Sequence, residues 1–136
     1  MEIKYETRHL LDTIHIHDSE FAGYTYDYDR RRVLLSCKNV FAQTRITLAL
    51  ENVILLHLQS CSFWHGGNSI LWMTVRDGND FLDALIRQQH CNAETYRDSY
   101  LDQGIRYLTI EFTINSGDTL LIACERVVCS ETALLS

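Results

Sequence analysis

Residues 104–129 read Gly-Ile-Arg-Tyr-Leu-Thr-Ile-Glu-Phe-Thr-Ile, then Asn-Ser-Gly-Asp, then Thr-Leu-Leu-Ile-Ala-Cys-Glu-Arg-Val-Val-Cys. In the first part, apolar side chains fall on one side of an extended chain and mostly polar ones on the other. This period of two predicts a strand with one face in a core and one face in water. Residues 115–118 predict a turn, because Asn and Gly tolerate positive φ while Asp and Ser bond the local backbone. The stretch therefore predicts a β-hairpin.

Several other segments show the same extended character. Residues 14–28 contain two short alternating segments separated by Asp18-Ser19-Glu20, and Asp29-Arg30-Arg31 predicts a turn into a strand over residues 33–38. Residues 45–51 alternate again, with Ile46, Leu48 and Leu50 expected inward. Residues 53–60 are almost continuously apolar, which indicates a strand covered on both sides or one at a subunit contact. Residues 70–75 predict a further strand.

One segment departs from this pattern. Residues 79–90 carry an apolar stripe at helical spacing, formed by Phe81, Leu82, Leu85 and Ile86. Asp77 or Asn79 can cap the start of that helix. We therefore expect a single domain over residues 1–136. Its fold class is all-β, a β-sandwich or bent barrel of about seven antiparallel strands with one inserted α-helix near residues 79–90.

Composition limits the classes of partner and compartment. The formal net charge of −6 argues against binding to nucleic acid or to an anionic membrane. The start of the chain lacks the apolar region of a secretory signal, and the longest apolar run is too short to span a bilayer. Five cysteines without a Cys-x-x-Cys spacing indicate reduced thiols. We expect a cytoplasmic protein.

Two groups of residues are candidates for a small-molecule or metal site. His15 and His17 lie two apart on a predicted strand, so both imidazoles would project from one face toward a metal ion, with Asp18 as a carboxylate ligand and His57 or His65 as a possible third. The alternative is a polar strand face followed by a turn. Separately, Trp64, His65, Gly66 and Gly67 form a ligand-binding candidate, because glycines let the backbone approach a ligand and Trp64 offers a flat apolar surface. Its alternative is a β-bulge beside a packed tryptophan.

A third candidate is a partner interface. Tyr24, Tyr26 and Tyr28 share one face of a predicted strand, and Arg30 and Arg31 follow at the turn. Exposed aromatic and arginine side chains are enriched at protein interfaces. The alternatives are packing of the tyrosines in the core and a solvated turn neutralised by its own acidic residues.

The sequence also resembles a known class of protein. The resemblance is carried by His17-Asp18-Ser19, by the Tyr-Asp hairpin up to Arg31, and by residues 115–118 with Leu-Leu-Ile-Ala-Cys-Glu at 120–125. These features are similar to small uncharacterised bacterial all-β proteins of unknown function. The resemblance implies an all-β fold and a bacterial origin, and it implies no catalytic residue.

No catalytic motif is present, since the sequence lacks Gly-x-Ser-x-Gly, Gly-x-x-x-x-Gly-Lys and His-Glu-x-x-His. We therefore predict no catalytic residue and no cofactor. The leading hypothesis is a non-enzymatic interaction module that acts on a protein partner through a sheet face, or as a homo-oligomer. The alternatives are a small-ligand binding domain that uses the loop at residues 64–69 and a metal-dependent enzyme that uses His15 and His17.

Overall fold

The computed structural model describes residues 1–59, 67–76 and 106–134. Within these residues the chain forms nine strands and one 3₁₀ helix, Tyr5–Thr13, which follows the first strand. The strands are β1 (Glu2–Lys4), β2 (Glu20–Asp27), β3 (Arg32–Asn39), β4 (Thr44–Glu51), β5 (Leu55–Gln59), β6 (Ile70–Arg76), β7 (Leu108–Ile114), β8 (Thr119–Cys124) and β9 (Arg126–Ala133).

The strands form two antiparallel sheets, which confirms the all-β fold class and gives a sandwich-like architecture. The five-stranded sheet has the order β1-β9-β4-β3-β2, and the four-stranded sheet has the order β5-β8-β7-β6. The described part contains nine strands instead of the expected seven or so, because the short β1 was not foreseen and residues 119–129 form two strands. The helix predicted near residues 79–90 lies outside the described residues.

The core lies between the two sheets. The alternating side chains predicted to point inward do so: Ile46, Leu48 and Leu50 on β4 are at most 1% exposed, and Ile110 and Phe112 on β7 are fully buried. The other buried apolar side chains of this core include Ile3, Val33, Leu35, Leu108, Leu120, Ile122 and Val127. The hairpin of β7 and β8 is also confirmed, with Gly117 of its turn at φ +100°.

The 3₁₀ helix was not predicted from the sequence. It is kinked at Thr7, whose φ and ψ are −114° and 23°. Leu11 is the buried residue of the helix, and Leu10 and Ile14 pack against the same core. Leu10, Leu11 and Ile14 do not follow the regular spacing of a long amphipathic helix, so the sequence of this segment showed no helical periodicity.

The chain crosses from one sheet to the other twice at the same place. After β4, Asn52 adopts a left-handed φ of +52° and leads into β5 of the other sheet. After β8, Glu125 leads into β9, and its backbone N–H donates to the carbonyl oxygen of Glu51 over 3.1 Å. The Asn52 side-chain amide also donates to the Glu125 carboxylate over 3.2 Å. These bonds fasten the two crossings to each other.

Two expectations about burial were wrong in part. The face of β7 that was expected to contact water is not fully exposed to solvent. Thr109 on that face is 0% exposed, and Tyr107, which precedes β7 with the same orientation, is 1% exposed. The described part of residues 53–60 does not form a strand covered on both sides. Within the described sheet, β5 is an edge strand whose Leu58 is 42% exposed. Its role as a subunit contact stays a prediction.

Thr109 allows a test of this packing. Its hydroxyl oxygen is buried without a hydrogen-bond partner, and an unsatisfied buried hydroxyl is destabilising. We expect Thr109→Val to raise the free energy of unfolding by about 1 kcal/mol, because valine has a similar shape and no polar atom. Urea denaturation measures the change. Thr113→Val is the control, since Thr113 is half-buried on the same face and strand. A loss of stability in Thr109→Val would contradict the expectation.

Candidate functional site

An open cavity of about 610 Å³ lies where three separate parts of the chain meet. These are the start of β2, the turn between β7 and β8, and the residues just before β6. Its walls are mostly apolar, and its polar groups come mainly from Asn68, Ser116 and Asp118. The other described lining residues are Phe21, Ala22, Gly67 and Ile114. Pockets for small molecules typically have this size and this mixture of apolar walls with a few polar groups.

Hydrogen bonds between the two sheets hold one wall of the cavity. The backbone N–H of Phe21 donates to the carbonyl oxygen of Asn68 over 2.8 Å, and the Asn68 amide donates back to the carbonyl oxygen of Phe21 over 3.0 Å. Glu20 and Ser69 form an antiparallel bridge beside this pair. The start of β2 is thereby attached to the four-stranded sheet, although β2 belongs to the other one.

The turn at residues 115–118 forms a second wall. Asn115 and Ser69 exchange two hydrogen bonds, from the Ser69 N–H to the Asn115 side-chain oxygen (3.0 Å) and from the Asn115 N–H to the Ser69 carbonyl (2.9 Å). The Ser116 hydroxyl donates to the Asp118 carboxylate over 3.2 Å. The polar groups of this wall are therefore held in fixed positions, as a binding site requires.

The predicted ligand-binding loop contributes one described residue to this cavity. Gly67 lines it and has a φ of +98°, a conformation that favours glycine. Trp64, His65 and Gly66 lie outside the described residues. The hypothesis of a small-ligand site at this loop stays a prediction. Phe21, Ser116 and Asp118 were missed, because they come from sequence positions far from the loop and from each other.

His15 and His17 are not on a strand, so that expectation was wrong. Their segment is a turn: the Ser19 N–H donates to the carbonyl oxygen of Ile16 over 3.0 Å, and Asp18 has a left-handed φ of +63°. The Asp18 N–H donates to the carbonyl oxygen of Ile70 over 2.8 Å, which ties the turn to the start of β6. Both imidazoles are exposed, while Ile16 between them is buried.

The structure shows which atoms near His17 could bind a metal. The Nδ1–H group of His17 donates to the carbonyl oxygen of Leu71, so the Nε2 atom is available to a metal ion. The Asp18 carboxylate lies 3.4 Å from this Nε2 atom. His57 lies on β5, at the opposite edge of the four-stranded sheet from β6 and Leu71. Within residues 1–59, 67–76 and 106–134, no group of three or more His, Cys, Asp or Glu could hold a metal ion. The metal hypothesis stays a prediction.

The predicted tyrosine stripe divides between core and surface. Tyr24 and Tyr26 pack against the core, whereas Tyr28 lies in the turn after β2 and is 83% exposed. The rings of Tyr26 and Tyr28 meet edge to face with centroids 4.6 Å apart. Arg30 and Arg31 are exposed in the same turn, as predicted, and Arg30 approaches the Asp27 carboxylate at 3.9 Å. Their part in a partner interface stays a prediction.

The outer faces of the two sheets differ in exposure. On the five-stranded sheet, Leu34, Ala49 and Val128 are neighbours across β3, β4 and β9, and Leu34 and Val128 are 37% and 36% exposed. We call this row the apolar strip. On the four-stranded sheet, the corresponding outward residues Thr109 and Ala123 are fully buried. Trp72 on β6 pairs with Thr113 and is 55% exposed on the same outward face. The four-stranded sheet is therefore closed at Thr109 and Ala123 and open at Trp72.

Polar rows lie on both sides of the apolar strip. One row consists of the small hydroxyl residues Ser36, Thr47 and Ser130, which are paired across the same three strands. The other row consists of charged residues, in the order Asp27, Arg32, Glu51, Arg126 and Lys4 across the sheet. Within it, Arg32 Nε lies 3.3 Å from the Glu51 carboxylate.

Three cysteines in the described part of the chain are free thiols: Cys37, Cys124 and Cys129. Burial raises the pKa of the Cys37 thiol to about 12 and also raises the pKa of Cys124. Burial likewise raises the pKa of Cys129, by removing it partly from water. A thiol with a raised pKa is a poor nucleophile at neutral pH, so these residues have the character of core side chains.

No family model matches this sequence, and no curated protein is similar to it at a significant level. Among the described residues, no helix has both the length and the apolar character needed to cross a membrane.

Proposed function

We propose that this chain is a non-enzymatic interaction module that binds a partner protein through the outer face of its five-stranded sheet. The observation that carries the proposal is the apolar strip of Leu34, Ala49 and Val128, which has a polar row on each side. Leu34 and Val128 of this strip are 37% and 36% exposed at neighbouring positions of the sheet.

The arrangement of the outer face supports a protein partner. Protein interfaces have an apolar centre surrounded by a polar rim. Here the apolar strip lies between the row of hydroxyl residues and the row of charged residues. Small residues such as Ser36, Thr47 and Ala49 keep the surface flat, which suits the packing of another sheet or helix at close distance.

Charge further supports protein over nucleic acid as the partner. The row beside the apolar strip contains both signs, with Arg32 next to Glu51, and the whole chain is acidic at −6. A nucleic-acid surface would need an uninterrupted basic patch. The free thiols of Cys37, Cys124 and Cys129 support a reducing compartment for this interaction, and we propose the cytoplasm.

Site-specific photo-crosslinking tests the proposal in cells that naturally make the chain. A benzophenone side chain at Thr47, in the middle of the outer face, is expected to form an adduct with a single protein, identified by mass spectrometry. Leu34→Glu should weaken binding of the purified partner at least tenfold, about 1.4 kcal/mol, because the substitution places a charge in the centre of the interface. Titration calorimetry measures this change.

Leu58→Glu is the matched control. Leu58 is also a strand leucine, with an exposed fraction of 42% against 37% for Leu34, and it lies on the other sheet. Thermal unfolding of both variants checks that they are folded. If Leu58→Glu weakened binding and Leu34→Glu did not, the interface would lie at the β5 edge and the proposal would be wrong.

A further inference from the structure

The tip of the hairpin between β3 and β4 exposes an apolar group that the sequence did not bring to attention. We call residues 40–43 the hairpin tip. Phe41 is 84% exposed and Val40 is 39% exposed, and Ala42 beside them is exposed as well. Consecutive apolar residues at an exposed turn cost solubility without contributing to the core, so this tip is a candidate contact site.

The hairpin tip is held in one conformation. The side-chain oxygen of Asn39 accepts hydrogen bonds from the N–H groups of Phe41 and Ala42, both over 3.1 Å. The Gln43 side-chain amide donates to the carbonyl oxygen of Val40 over 2.6 Å, and the N–H of Leu134 donates to the carbonyl oxygen of Gln43 over 2.9 Å. Because the tip is already ordered, burying Phe41 in a partner costs little conformational entropy.

The hairpin tip and the 610 Å³ cavity lie at the same end of the molecule. Phe21, which lines the cavity, pairs with Cys37 on β3. The hairpin tip begins three residues after Cys37, just past the end of β3. At the usual rise of a strand, this is about 10 Å from the pair of Phe21 and Cys37. Phe41 therefore projects past the cavity of its own molecule into solvent, in agreement with its exposure of 84%.

We propose that the ring of Phe41 occupies this cavity in a second copy of the chain, so that two copies exchange hairpin tips about a two-fold axis. The contact goes beyond the proposed function, since it uses a different surface from the apolar strip. The cavity has apolar walls from Phe21, Ala22 and Ile114. These walls match an aromatic ring, and the volume is sufficient for one.

Symmetry explains why a second copy is the occupant. A projection and a complementary cavity on opposite ends of a molecule would generate an open filament. Placed on the same end, each ring enters the cavity of the other copy in a closed pair, and no exposed ring remains. A bilayer is the weaker choice for Phe41, because the chain is acidic overall at −6 and Glu131 is exposed close to the tip.

The size of the contact sets its strength. Two exchanged rings with their surroundings form a small interface, at the low end of the range for specific complexes, so the dimer is expected to be weak and to dissociate on dilution. Buried aromatic anchors dominate the affinity of such interfaces. We expect Phe41→Ser to lower the association constant about 30-fold, equivalent to about 2 kcal/mol.

Sedimentation equilibrium over a wide concentration range measures the association. Tyr28→Ser is the matched control, because Tyr28 is an equally exposed aromatic residue in a hairpin turn, 83% against 84%, at the other end of β3. We expect it to leave association unchanged, as we do Leu34→Glu. A wild-type chain that stays monomeric at all concentrations would overturn the proposal, and so would equal effects of Phe41→Ser and Tyr28→Ser.

A second variant blocks the cavity instead of removing the ring. Ala22 is exposed and lines the cavity, so Ala22→Trp should obstruct the entry of Phe41 and abolish self-association, while thermal unfolding is unchanged. A mixture of Phe41→Ser with Ala22→Trp keeps one intact ring and one intact cavity. This mixture should regain part of the association that each variant lacks alone, and a mixture that stays monomeric would contradict the exchange of tips.

Discussion

Replacement of Phe112 by alanine is expected to lower the free energy of unfolding by about 3–5 kcal/mol. Phe112 is fully buried on β7. It pairs with Leu120 on β8 and with Met73 on β6, so it has a strand on each side. Because both neighbouring strands are fixed by the sheet, the surrounding side chains cannot collapse into the space that the ring leaves. Urea denaturation measures the loss.

Phe41→Ala is the matched control for this substitution. It removes the same atoms from a side chain that is 84% exposed, so the free energy of unfolding should change by less than about 0.5 kcal/mol. The measurements belong at low protein concentration, where association does not contribute. Equal losses for the two variants would show that Phe112 does not belong to the core.

The second large effect concerns the pH dependence of stability. Burial raises the pKa of the Cys37 thiol to about 12 in the folded protein, against about 8.5 for an unfolded chain. Below pH 8.5 the thiol is protonated in both states, and its contribution to stability is fully present. Between pH 8.5 and 12 the unfolded chain loses the proton and the folded chain keeps it, so stability falls as the pH rises. We expect Cys37 to account for about 2.5 kcal/mol of loss between pH 9 and pH 11.

The contribution of Cys37 is isolated by comparison with Cys37→Ala. Tyrosine and lysine side chains also titrate at alkaline pH, and they are the same in both proteins. The free energies of unfolding should therefore converge as the pH rises, because only the wild type loses the contribution of the buried thiol. Two pH profiles that stay parallel from pH 8 to pH 11 would contradict the assignment.

The strands of this fold could be predicted where side chains alternate strictly. Residues 45–51 and the start of the 104–129 stretch have this property, and β4 and β7 lie where expected. In each case the apolar side chains that face the core recur with a period of two, and the side chains of Leu48 and Ile110 are fully buried as the pattern requires. The local sequence pattern was sufficient to predict these two strands, because the apolar side chains alone show which face of each strand packs on the core.

The division of residues 119–129 into two strands was missed. Residues 120–124 are all buried, so both faces of β8 are covered and its side chains show no alternation whose phase could change at Glu125. The division was obscured further because the residues on both sides of Glu125 favour extended structure, and the crossing depends on bonds to Glu51 and Asn52, which are distant in sequence.

The segment with His15 and His17 shows a different limit. Ile14 and Ile16 alternate with the two histidines as in a strand, but the backbone forms turns, ending at Asp18 with its positive φ. Alternation in so short a segment does not distinguish a strand from a turn that buries every second residue.

The candidate sites were the least predictable part. The cavity joins Phe21, Gly67 and Ser116, which only the tertiary structure brings together. For the hairpin tip, a signal was present: Asn39 is a residue type that often accepts hydrogen bonds from the backbone two residues on. Val40 and Phe41 concealed that signal, because apolar residues are uncommon in turns.

The position of β9 between β1 and β4 has a consequence for biosynthesis. Leu48 pairs with Cys129, so β4 leaves the ribosome long before its neighbour exists, and an unpaired edge of the nascent sheet stays available to other chains in the meantime. Sheet closure is then one of the last events of folding, and contacts of such long sequence separation form slowly. The nascent chain is therefore most vulnerable to aggregation during the interval between the emergence of β4 and the arrival of β9.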